Sequence, residues 1–135
     1  MASICRVEAS DRDALVRGMR GLVIRCARAI NRVLGRRGRV WADRCHTHAL
    51  KTPREVRNAL VYVLQNWRKS VPGAQWLDGC SSARWFDGWK GPRPPWAEPP
   101  PGRAPVRAAR TWLLTRGWRR HGLIAFDERP LKSLD

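Results

Sequence analysis

Three groups of side chains in this chain could do chemistry. Tyr62 shares one side of a helix with Asn58, Asn66 and Lys69, roughly 120° from the apolar stripe Val56, Leu60, Val63 and Trp67 at 100° per residue. A phenol set among amides and a cation is either placed for use or an amphipathic ring at a core margin, which is the commoner case. Cys45, His46 and His48 form a second group. On a strand, His46 and His48 would face the same way and could share a metal. Only Asp43 stands nearby, Thr47 separates them, and histidine contacts to phosphate or backbone are commoner, so no metal ligand is assigned. The third group is arginine. The chain has 23 arginine and four lysine residues against 11 acids, a net charge of +16. The planar guanidinium fork suits phosphate, which makes a polyanion the first partner to consider. Codon usage in a GC-rich genome is a rival source of the same excess.

The elements that must position these groups follow from the chain in order. Residues 4–9 suit a short strand, with Ile4, Arg6 and Glu8 on one side. Ser10 or Asp11 can cap a long helix. Its apolar positions Leu15, Met19, Leu22, Cys26, Ile30 and Val33 recur every three or four residues, and Gly35 or Gly38 ends it. Arg17, Arg20, Arg25, Arg28 and Arg32 occupy its other faces, either to track a phosphate backbone or as an ordinary solvated face. Residues 39–50 lack a helical period and suit a second extended segment. Thr52, Pro53 and Glu55 then carry the strongest helix-start signal, a capping box with proline at the first turn, opening a helix over 52–70.

Beyond residue 70 the composition changes. Residues 71–105 hold Trp76, Trp85, Trp89 and Trp96 and a proline run from Pro92 to Pro101, which predicts a linker or loosely packed arm. Its tryptophans either cover the domain's own apolar surface, the stronger reading, or stack on unpaired bases. Residues 106–121 suit a last short basic helix, and the final residues are expected to fray. The division is therefore 1–70, 71–105 and 106–135. Four cysteines without CxxC pairing point to a reducing cytoplasm, and no apolar run is long enough to span a membrane.

Several stretches together resemble the REP-associated tyrosine transposases, a single-tyrosine group of the HUH class. They are Arg17–Leu22, Ala27–Arg32, Gly38–Arg44, His46, Leu50–Val56 and Tyr62–Asn66, with weaker similarity at Trp85–Trp89 and Thr111–Gly122. The resemblance implies an α+β, partial ferredoxin-like fold, here a strand-helix-strand-helix remnant with a Pro/Trp-rich tail and a short C-terminal helix. It implies that Tyr62 is the nucleophile attacking a phosphodiester of single-stranded DNA, with Asn66 one turn on. It also implies a divalent metal, Mg²⁺ or Mn²⁺, held by a His-hydrophobic-His pair. Counting back from Val7-Glu8-Ala9, that pair should fall near positions 2 and 4, which hold Ala2 and Ile4. The expectation is a truncated homologue that binds single-stranded or hairpin DNA but binds no metal and does not cleave. Its candidate nucleic-acid contacts are Arg17, Arg20, Arg28, Arg32, Arg36, Arg37, Arg44, Lys69, Arg119 and Arg120. Its exposed sheet edge would allow self-association. The alternative is a non-catalytic basic nucleic-acid-binding module, and a weaker one is an Arg/Trp-rich tail acting at membranes or on a partner.

Overall fold

Local sequence signals set the two long helices. In the computed structural model, which describes residues 4–131, α1 runs Arg12–Val33 and α2 runs Pro53–Gln65. Asp11 caps α1 by accepting from Ala14 N at 2.7 Å. Gly35, at φ 61°, takes the left-handed turn after it. Thr52 accepts from Glu55 N at 3.2 Å, and the Glu55 carboxylate accepts from Thr52 N at 3.0 Å, so the box is closed in both directions. A 3₁₀ turn, Asn66–Lys69, prolongs α2.

The sheet expected from the resemblance is not there. Among the described residues the chain is helical or irregular, and its one ladder element is an isolated parallel bridge between Trp89 and Ile124. The α+β, ferredoxin-like assignment is therefore wrong, and with it the sheet edge proposed for self-association. Residues 4–9 and 39–50 have no strand partner. A short extended segment is held in a sheet only by its neighbours. Here Arg39 supplies what a ladder would have: its guanidinium donates to the carbonyls of Trp41 at 2.6 Å and Ala42 at 2.5 Å.

The chain divides into two compact units, one of residues 7–49 and one formed by 4–6 with 50–131. In the first, α1 buries no residue. The segment after it turns back along the helix, with Asn31 Nδ2 donating to Gly38 O at 2.9 Å and Trp41 Nε1 to Val23 O at 3.1 Å.

The second unit draws its core from α2, from the tail and from within the segment 71–105 that the sequence suggested as a linker. Val56, Val61 and Leu64 of α2 pack with Leu77, Ala83, Trp89, Ala97, Trp118 and Ile124. The tail supplies a short helix, α3, Trp112–Thr115, followed by a 3₁₀ turn, Gly117–His121, and both touch α2. The expected helix from Val106 begins six residues late. Val106 and the alanines around Arg107 have no core to bury against, and an isolated short helix is marginal in water. Leu113, Leu114 and Trp118 do have one. The final residues 132–135, expected to fray, lie outside the described residues, as does Ala2.

A chain with so little regular structure leaves many carbonyls to satisfy, and burying them unpaired is costly. Three arginines bond such carbonyls, Arg68 and Arg93 in part-buried surroundings and Arg57 at the surface. Arg57 donates to Gly122 O at 2.9 Å and Leu123 O at 3.1 Å, and forks onto Glu128 at 2.6 and 2.9 Å. Arg68 donates to Gln65 Oε1 at 2.6 Å, to Phe126 O at 2.6 Å and to Ala74 O. Burial pulls its guanidinium below the usual arginine range, with Arg129 adding to the effect. Arg93 donates to Phe86 O at 2.7 Å, to Ala97 O at 3.2 Å and to Arg84 O. Gln65, fully buried, adds a bond to Phe126 O at 3.0 Å.

Rings fill the space between the clamps. Trp89 stacks on Phe126 at 4.8 Å between centroids and meets Phe86 edge-on at 5.3 Å, while Phe86 tilts against Trp118 at 5.5 Å. Both buried indoles find acceptors: Trp89 Nε1 bonds to Ala83 O at 3.0 Å and Trp118 Nε1 to Leu114 O at 3.1 Å. Gly88 threads between the rings. A Cβ there would come within 2.3 Å of Trp118 Cη2 and 2.5 Å of Phe86 Cζ. Gly88→Ala is expected to destabilise this unit by about 1–3 kcal/mol, the range for overpacking a core, read as a lower urea midpoint at unchanged slope. An unaltered midpoint would mean that the rings do not close over this position.

Candidate nucleic-acid interface

The arginines of α1 are arranged by its helical period. Arg17, Arg20, Arg25, Arg28 and Arg32 are all exposed. At 100° per residue they fill one arc centred about a half-turn from Leu15, Met19, Cys26 and Ile30. From Arg17 to Arg32 the row runs roughly 22 Å at 1.5 Å per residue. The one acid in the helix, Asp13, sits in its first turn, where it complements the dipole.

The turn after α1 uses some of its arginines internally. Arg36 Nη2 donates to Arg39 O at 3.0 Å, and Arg39 is committed to Trp41 and Ala42. Arg37 and Arg44 are exposed. His46 and His48 are exposed too, and the Cys45 thiol lies 4.0 Å from His46 O. Among the described residues no three His, Cys, Asp or Glu side chains converge as a metal site would require.

Tyr62 lies in the other unit. The buried residues of α2, Val56, Ala59, Val61, Leu64 and Gln65, spread over about two-thirds of its circumference at 100° per residue, well beyond the stripe of Val56, Leu60, Val63 and Trp67. Tyr62 lies in the remaining gap, about 60° from both Ala59 and Gln65, and is half-buried. The ammonium of Lys69 stands 4.4 Å from its ring centroid, a cation–π contact. Asn66, half-buried one turn on, is the cap at the end of α2. Tyr62, Asn66 and Lys69 thus share one unit with Arg119 and Arg120, and the remaining candidate arginines share the other.

Arg119 and Arg120 are both engaged. Arg119 pairs with Asp87 at 3.0 Å and donates to Thr115 O at 3.1 Å, and its guanidinium lies 4.9 Å from the Trp118 ring. Arg120 covers the Trp112 ring at 4.9 Å. Sequence reasoning missed Trp112 and Arg116, both exposed on the tail. The helical spacing Trp112, Arg116, Arg120 was legible, but the segment's other face had no evident partner.

No protein-family model, curated protein or solved structure matches the chain. Among the described residues no helix is long and apolar enough to cross a membrane.

Proposed function

We propose that the chain is a cytoplasmic, nucleoid-associated DNA-binding protein of transposase ancestry that takes single-stranded or hairpin DNA and does not cleave it. The observation that carries this reading is the row of exposed arginines on α1, opposed to an apolar face and broken by no acid after the first turn. Such a row places guanidinium forks along a path that a sugar-phosphate backbone can follow. The reading of non-cleavage rests on the sequence, where Ala2 and Ile4 stand at the positions that the transposase resemblance gives to metal-binding histidines.

Neutralising Arg17, Arg20 and Arg28 to glutamine is expected to weaken binding to a single-stranded oligonucleotide. It should also flatten the log–log salt dependence by about 2, since each phosphate left unneutralised on a single strand lowers the slope by about 0.7. Tyr62→Phe should bind as the parent does. An unchanged salt slope in the triple variant would remove α1 from the interface. A covalent Tyr62 adduct on hairpin DNA with Mg²⁺ or Mn²⁺ would instead establish the nucleophilic role that the resemblance implies.

A further inference from the structure

We infer that Trp112, Arg116 and Arg120 form a stacking site for an unpaired base of single-stranded DNA, separate from the arginine row of α1. This rests on the reading of the chain as a DNA-binding protein and names what part of the ligand the tail takes.

An indole at a surface is normal, but this one is both exposed and fixed. Trp112 keeps 49% of its surface open. Its ring nevertheless lies so close to the backbone of Gly117 that a Cβ there would fall 2.7 Å from Trp112 Cζ3. The side of the tail opposite this ring is anchored: Leu113 and Leu114 pack on the core, and Trp118 is 1% exposed with its N–H tied to Leu114 O. The ring is therefore presented on a rigid support, which lowers the entropic cost of seating a ligand on it. Arg120 already lies over the indole at 4.9 Å, so a stacked base takes its place on the ring as the guanidinium turns to the adjoining phosphate, and Arg116, one turn along from Trp112, is exposed. A guanidinium plane stacks on a base as an aromatic does, and its donors reach the adjoining phosphate.

The electrostatic setting singles out this indole among the exposed ones. Trp76 has Asp78 two residues away and leans on Trp67 at 5.9 Å, and Trp96 has Glu98 two residues away and packs edge-on to Phe126 at 5.5 Å. Around Trp112 no Asp or Glu occurs in sequence between Glu98 and Asp127, while Arg103, Arg107, Arg116 and Arg120 do. A polyanion is met by cations along this stretch, and an aromatic platform stands among them.

The test is equilibrium binding of the full chain to three fluorescent probes: a 20-nucleotide oligo(dT), a duplex of equal length, and a 20-nucleotide strand of abasic sites. Trp112→Ala is expected to weaken oligo(dT) binding about tenfold, within the range found for losing one stacked base, while leaving the duplex and abasic affinities unchanged. Trp112→Phe should recover most of the loss, since any π-face serves. Equal losses on all three probes, or none on oligo(dT), would overturn the stacking site. A urea midpoint and near-ultraviolet circular dichroism unchanged from the parent show that the unit carrying Trp112→Ala is folded. Absence of binding by the parent chain to every probe would instead overturn the DNA-binding reading itself. Parent binding that Arg17→Gln, Arg20→Gln and Arg28→Gln weaken but Trp112→Ala does not would overturn the stacking site alone.

Discussion

Trp118→Ala is expected to cost the folded unit of residues 50–131 about 3–5 kcal/mol, the range for removing a buried aromatic side chain. Trp118 is among the largest fully buried side chains of the chain. Its ring touches Phe86, its N–H is satisfied by Leu114 O, and its edge closes over Gly88. Removal would leave a cavity lined by rings that cannot collapse into it without giving up their own packing. Small domains have only about 5–15 kcal/mol of stability in total, so the variant should melt at least 10 °C lower at about 4–8 °C per kcal/mol. Near-ultraviolet circular dichroism and a urea titration check this. Trp118→Phe should fall between the two proteins, because a smaller ring keeps part of the packing and loses the N–H bond. A midpoint within a degree or two of the parent would show that the tail does not close the core.

The second large effect is expected at Arg57, and here geometry outweighs charge. Arg57→Lys keeps the cation but replaces a planar fork by a point charge on a flexible stem. One ammonium cannot span two carbonyls and both oxygens of Glu128 as the guanidinium does. The side chains of Arg57 and Glu128 retain 16% and 28% of their exposure, so the loss should stay below the 3–5 kcal/mol of a fully buried pair. About 2 kcal/mol is expected, in line with losing charge-assisted hydrogen bonds to Glu128, while the exposed carbonyls of Gly122 and Leu123 can turn to water. The cycle of Arg57→Lys, Glu128→Gln and the double variant separates the carboxylate's share from the carbonyls'. Amide exchange at residues 122–128 should accelerate in the lysine variant before it does elsewhere. If lysine supports the parent stability, the clamp is only a charge pair.

What the sequence made legible was local. Thr52, Pro53 and Glu55 place the start of α2 because each acts within four residues of the others, and Asp11 and Gly35 bound α1 for the same reason. The buried surface of α2 extends beyond the stripe of Val56 and Leu60 to Ala59, Val61, Leu64 and Gln65, and the sequence hid this because that surface also carries Gln65, Arg57 and, just past the helix, Arg68. Hydropathy scores those residues as solvent-facing, whereas each is tied to carbonyls far along the chain, such as Gly122 O and Phe126 O. The strands were inferred from alternation at 4–9, from the lack of a helical period at 39–50 and from resemblance, yet a strand exists only through a partner, which no short segment can announce. The tail reads as basic and aromatic in either an open arm or a packed core. What decides for the core is that Gly88 has no side chain where Trp118 and Phe86 converge, a fact of close approach that spacing alone does not reveal. The arginine row of α1 was legible in full, since a helical period needs no distant residue to reveal it.

The distance along the chain between Val56 and Ile124 has a consequence for biosynthesis. α2 leaves the ribosome with a face made to receive Leu123, Phe126 and Glu128, and none of these has yet been translated. The core of this unit therefore cannot close co-translationally on α2 alone. It waits until residue 128 has cleared the exit tunnel, while α1, tied to the segment just after it through Gly38 and Trp41, is free to form early. A nascent chain arrested at residue 110 would carry α2 without its cover and be a target for holding chaperones; the 135-residue chain held on an added C-terminal linker long enough to expose residue 131 would not.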